Sequence, residues 1–152
     1  MSEARTYWNL VESVWDTVSI YDGAERFLRE YADISQKQQV LFSTHWCQSE
    51  IRNGGLQQFF ENSTGVLAPE AEQGFRSLGM PNCANAVARG MAFFGAEYPR
   101  SREYRQERLA DYEGENPDEW DPFLELDDAF YNAIDEEGGG FQAAAERYAY
   151  DT

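Results

Sequence analysis

Residues 35–62 read SQKQQVLFSTHWCQSEIRNGGLQQFFEN, and where this stretch starts and stops decides the fold. Ser35 and Gln38 form a capping box: the serine hydroxyl can accept from the amide of residue 38 while the glutamine side chain reaches back to the amide of residue 35. Val40, Leu41, Thr44, Cys47 and Ile51 then recur at the three-and-four spacing of one helix face turned to a core. Asn53-Gly54-Gly55 ends that helix, because glycine enters left-handed backbone without a Cβ clash. Gly54 or Gly55 is therefore expected at positive φ. Leu56 to Asn62 reads as another short helix carrying the Phe59-Phe60 pair.

The same rules extend outward in both directions. Thr6 can cap a helix whose apolar positions Tyr7, Leu10, Val11, Val14, Trp15 and Val18 continue until Asp22-Gly23, and a short helix from about Ala24 to Tyr31 follows. Beyond the glycine pair, Pro69 suits the first position of a helix ending near Gly79, and Asn82 can cap residues 83–94. Asp121-Pro122 can start a further helix, residues 128–137 form the next, and Gly138-Gly139-Gly140 separates them from a final helix through Tyr150. No alternating strand pattern of useful length occurs. The chain is read as all-α: one compact domain over residues 1–152, of about eight short helices with no internal repeat. At 152 residues and 42% hydrophobic content it has material for a sizeable core.

Charge is distributed very unevenly. Residues 1–50 hold eight acids and four bases, 51–110 six and seven, and 138–152 two and one, whereas 111–137 hold twelve acids and no Lys or Arg. Drawn out as one helix, this stretch would present a carboxylate about every 3.4 Å, close to the phosphate spacing along one DNA strand. Pro117 and Pro122 must interrupt such a rod. Tyr112, Trp120, Phe123, Leu124, Leu126, Phe130, Tyr131 and Ile134 lie among the acids, an apolar content foreign to disordered acidic tails. The carboxylates are thus expected on folded structure, where they either imitate a polyanion or form a solvated face that maintains solubility. A net charge of -16 disfavours direct binding of nucleic acid or anionic membrane and favours a basic protein partner. The cluster Arg100 to Arg108 contains Glu103 and Glu107 and reads as a helix laced with local ion pairs. Met1-Ser2-Glu3-Ala4-Arg5 lacks the look of a leader, and no apolar run approaches a membrane span, so a cytoplasmic protein is expected.

Catalysis has little to stand on, and no enzyme, cofactor or metal is expected. His45 is the sole histidine and reads as a packed residue beside Trp46; Cys47, two positions on, points to a different helix face. Cys47 and Cys83 read as small buried thiols, and with His45 they match no zinc spacing. Asp111, Glu113 and Glu115 alternate like the opening of a calcium loop, but the sixth position is Asn116 and the twelfth Pro122. Neither glycine cluster fits a phosphate-binding template.

The segment from Glu50 to Gly65, with Glu50, Asn53, Gly54, Gly55, Gln58, Phe59, Phe60, Asn62, Ser63 and Gly65 in place, resembles the signature E-(I/V)-x-N-G-G-x-x-Q-F/Y-F-x-N-S-x-G of the bacterial DNA-mimic protein family of the neisserial type. Similarity continues through Ala68 to Phe94 and in Phe123 to Tyr131, covering the chain from roughly residue 35 onward. The resemblance implies a small helical protein, a homodimer, whose carboxylates stand in for duplex phosphates on a helix-turn-helix transcription factor. Contacts would be drawn from Asp111, Glu113, Glu115, Asp118, Glu119, Asp121, Glu125, Asp127, Asp128, Asp135, Glu136 and Glu137. Inhibition of a basic nuclease, as an immunity-type partner, would use the same physics. Within the motif, Glu50, Asn53, Gln58 and Asn62 are expected to bond to backbone groups freed at the glycine junction, with Phe59 and Phe60 buried. The rival is a small-molecule or enzymatic site lined by those amides, with the acidity serving only solubility.

Overall fold

The computed structural model describes residues 6–150. Its order is α1 (Trp8–Glu12), α2 (Ala24–Ala32), α3 (Gln36–Glu61), a 3-10 helix (Ser63–Leu67), α4 (Ala68–Ser77), α5 (Pro81–Ala92), α6 (Arg102–Glu115), α7 (Leu124–Ile134), a 3-10 turn (Glu137–Gly139) and α8 (Phe141–Tyr150). There is no strand among the described residues. Residues 1–5, read from sequence as unlike a leader, lie outside the described residues.

Helix α3 is the axis. It begins at the expected capping box, with Gln38 N–H donating to Ser35 Oγ at 3.2 Å and Ser35 N–H to Gln38 Oε1 at 3.0 Å. From Val40 to Thr44 every side chain is buried, so the helix is enclosed on all sides. It packs against α1, α4, α6, α7 and α8, and α5 closes the layer between α4 and α7. One core cluster runs through these elements, with Phe27, Phe59, Phe60, Phe75 and Phe130 wholly buried. Each such phenylalanine contributes about 1.5–3 kcal/mol of burial free energy.

Pro69 lies in the first turn of α4, and Gly79 (φ +75°) ends that helix in a Schellman motif, Met80 N–H donating to the Phe75 carbonyl and Gly79 N–H to that of Arg76. Four expectations are corrected. The first helix stops at Glu12, because Ser13 Oγ turns back onto the Leu10 carbonyl at 2.7 Å and residues 13–17 continue as turns. Val14 and Val18 still reach the core. Thr6 is no cap: its amide and hydroxyl donate to Asn9 Oδ1. Asn82 does not cap α5, which already starts at Pro81. Finally, the two helices expected after residue 121 are one, α7, because Phe123, Asp127, Phe130 and Ile134 keep a single buried face across the whole span.

Candidate acidic interaction surface

The surface is built outward from the glycine junction. Gly54 (φ -154°, ψ 17°) and Gly55 (φ +79°) break α3 and start a new arm, residues 56–61, whose first amides have lost their intrahelical acceptors. Leu56 N–H donates to Asp127 Oδ1 of α7 at 2.8 Å. A Cβ on Gly55 would come within 2.8 Å of Asp127 Oδ2, and one on Gly54 would run into the Gln58 side chain, so both glycines make room and Gly55 also supplies the left-handed backbone. At the other end of the arm, fully buried Arg105 donates to the carbonyls of Phe60 (2.7 Å), Asn62 (3.0 Å), Pro99 (3.1 Å) and Arg100 (2.6 Å). A Cβ on Gly65 would stand 2.7 Å from Arg105 Nε. The arm thus has a carboxylate at its N-terminus and a guanidinium at its C-terminus, the arrangement its dipole favours.

The motif side chains behave differently from expectation. Phe59 and Phe60 are buried as read from the sequence. Glu50, Gln58 and Asn62 bond to one another and not to freed backbone: Gln58 Nε2 donates to Glu50 Oε2 at 2.7 Å, and Asn62 Nδ2 to the same oxygen at 3.4 Å. The reason is that α7 and α6 already supply the backbone partners. Asn53 is exposed and makes no side-chain hydrogen bond among the described residues.

The twelve acids of residues 111–137 divide into two sets. Four hold the fold. Asp127 is buried, and burial, with Asp121 and Asp128 nearby and despite the Leu56 hydrogen bond, pushes its pKa up to about 6. Glu137 accepts from Asn82 N–H (2.6 Å) and Cys83 N–H (3.0 Å), capping α5 from more than fifty residues away. Asp121 accepts from Phe123 N–H at 2.8 Å where α7 begins, and Asp135 pairs with Arg52 at 2.9 Å. Asp121, Asp127 and Glu137 therefore leave the list of free contacts, because a helix terminus or turn already occupies them. The other eight, Asp111, Glu113, Glu115, Asp118, Glu119, Glu125, Asp128 and Glu136, are exposed and have no ion pair among the described residues. They lie on α6, the 116–123 connection, α7 and the turn after it instead of on one rod.

The arginines of α6 and the segment before it are committed elsewhere, and Arg89 of α5 borders a pocket with Glu136 without forming an ion pair with it. Arg100 makes a two-pronged pair with Glu70 at 2.7 and 2.9 Å, Arg102 donates to the Glu61 carbonyl, and Arg108 sits 4.4 Å over the Phe93 ring. The local ion pairs expected along α6 do not form; its arginines serve the C-terminal end of the α3 arm and the aromatic core. Burial lowers the Arg105 pKa, partly opposed by Tyr98.

Sequence reading missed the apolar part of this face. Tyr104 (53% exposed), Trp120 (50%) and Leu124 (62%) are displayed among the acids. Helical phase was the available signal: Phe123, Phe130 and Ile134 follow four-and-seven spacing and are buried, while Leu124 and Tyr131 fall one position off that stripe. Between the α3 arm and α6 lies a groove of about 650 Å³ bordered by Trp120. The other singled-out residues are elsewhere. His45 is half-buried against Trp8 and Trp15, with Nδ1 2.9 Å from the Tyr7 hydroxyl, and burial lowers its pKa to about 4. Cys47 and Cys83 are free buried thiols, with burial raising both above the ordinary range. Asp111, Glu113 and Glu115 are on helix, not on a calcium-type loop.

Fold and surface together define a class: a small all-α protein whose one strongly charged face is anionic and unpaired. The chain belongs to the DMP19-like protein family, a DNA-mimic family whose model matches residues 32–151. No curated protein and no solved structure matches it. Among the described residues no helix is long and apolar enough to cross a membrane.

Proposed function

We propose that the protein binds and sequesters a basic DNA-binding protein of the helix-turn-helix type, its carboxylates taking the place of duplex phosphates. The observation that carries this reading is the set of eight exposed acids on α6, the 116–123 connection, α7 and the turn after it, left without ion pairs while Arg100, Arg102, Arg105 and Arg108 are committed elsewhere. A merely solubilising surface has no need of such segregation, since interspersed charges serve it as well. A DNA reader presents Lys and Arg to phosphates and derives much of its affinity from them, so a fixed anionic face competes without base-edge recognition. The protein acts by occupancy and not by catalysis, in the cytoplasm, and as a homodimer it would offer two such faces. The glycine junction serves to hold this face: it seats Asp127, which ties α7 to α3, while Arg105 at the far end of the same arm ties α6 to it.

The test is a folded variant with Glu113, Asp118, Glu119, Glu125, Asp128 and Glu136 changed to Asn or Gln, sparing the four acids that hold the fold. Native protein immobilised against lysate should retain a DNA-binding protein that duplex DNA displaces. Its affinity should fall at least about tenfold between 50 and 200 mM salt. Equal retention by native and neutralised forms would refute the proposal. Retention lost instead on changing Asn53 and Gln58, with folding intact, would move the site to the amide junction.

A further inference from the structure

We infer that the groove between the α3 arm and α6 is an arginine socket, taking a guanidinium side chain of the partner against the indole of Trp120; this rests on the reading of the acidic face as a site for a basic protein. The groove holds about 650 Å³ and is floored by Leu109 and Ala110. Its polar lining is unusually one-sided. Gln58 and Asn62 donate their amide NH2 groups to Glu50, and Gln106 donates its own to the Glu61 carbonyl at 3.2 Å. These partners are acceptors only, which fixes the orientation of all three amides and leaves their oxygens for a ligand. None of those oxygens receives a hydrogen bond among the described residues. Glu61 and Glu113 add two exposed carboxylates, and no Lys, Arg or His lines the groove.

An occupant must therefore be rich in donors, poor in acceptors and positively charged. Half-exposed Trp120 at the edge narrows it further. A guanidinium is planar, offers five donors in a fixed fork, and stacks on an indole face; an ammonium is a hydrated point charge that loses less by staying in water. The groove should therefore discriminate arginine from lysine, which a bare carboxylate array cannot do strongly. Arginine is also the side chain that DNA-binding proteins most often present to guanine edges, and it pairs with phosphates as well.

The probes are nonaarginine and nonalysine peptides of equal charge, titrated at low salt by calorimetry against the native chain, Trp120→Leu and Trp120→Phe. Trp120 is surface-exposed, so both variants should keep the native circular dichroism. The native chain should prefer the arginine peptide by about tenfold. Trp120→Leu should bring the two affinities together by weakening only the arginine peptide, and Trp120→Phe should retain part of the preference. An unchanged preference in Trp120→Leu, or none in the native chain, overturns the socket. In that case, loss of both peptides on changing Glu125 and Asp128 to Gln and Asn would leave the acidic-face reading standing. Failure of either peptide to bind the native chain would bring down both.

Discussion

Changing Asp127 to Asn should leave the protein as stable as the native chain or more so at pH 7, although it removes an acid that caps a helix arm. Asp127 is only 8% exposed and its pKa rises from an ordinary 3.8 to about 6. The shift means that burial, reinforced by Asp121 and Asp128, outweighs what the Leu56 amide returns to the charged form. Because the folded-state value lies above the unfolded one, the stabilisation belongs to the protonated acid. It is fully present below about pH 4 and lost as pH rises through about 6, an amount of about 3 kcal/mol for a shift of this size. Asparagine keeps an oxygen for the Leu56 amide and has no proton to lose, so its stability relative to the native chain should climb between pH 4 and 6 and level off above. Part of the gain is lost to the new NH2 group, which has no evident protein partner. Asp127→Ala instead strands the Leu56 amide and should fall below Asp127→Asn by about 1–3 kcal/mol. Urea unfolding followed by tryptophan fluorescence from pH 3.5 to 8 reads all three proteins. If Asn and Ala destabilise equally at pH 7, or if the native-to-Asn difference is flat with pH, then the carboxylate is not held at a charge penalty and the reasoning is wrong.

Arg105→Ala removes donors from four backbone carbonyls and should cost about 4 kcal/mol or more, a large share of a typical domain's stability; Arg105→Lys, lacking the planar fork, should recover only part in the same urea assay. Glu137→Ala should cost about 1–2 kcal/mol by uncapping α5, without weakening capture of a basic partner. His45 should titrate near pH 4 when followed by its imidazole NMR signals. Since its folded value lies below the unfolded 6.5, its contribution to stability is intact above about 6.5 and declines as pH falls from there. A titration near 6.5 would show the ring to be solvated. Sedimentation across a range of concentrations should show a dimer, and monomer alone at every concentration would remove that part of the proposal.

What the sequence determined by itself lies within a few residues of each decision. The Ser35 capping box, the positive φ at Gly55 and the proline in the first turn of α4 follow from backbone sterics and from bonds spanning three or four positions, and they sufficed for an all-α reading. The charge asymmetry was equally legible, because counting acids needs no coordinates. Which of those acids are free was decided only by tertiary structure. Asp127 meets Leu56 across 71 positions, Glu137 meets Asn82 across 55, and Arg105 meets Phe60 across 45. A partial signal was present: Asp127 falls on the apolar phase of Phe123, Phe130 and Ile134, and the arm that begins at Leu56 has no local residue to cap it. Such signals show that a partner is required without naming it. An orphan amide at a helix start accepts any carboxylate that packing brings near, so only the arrangement of α5, α6 and α7 around α3 separates the acids that hold the fold from those left facing solvent.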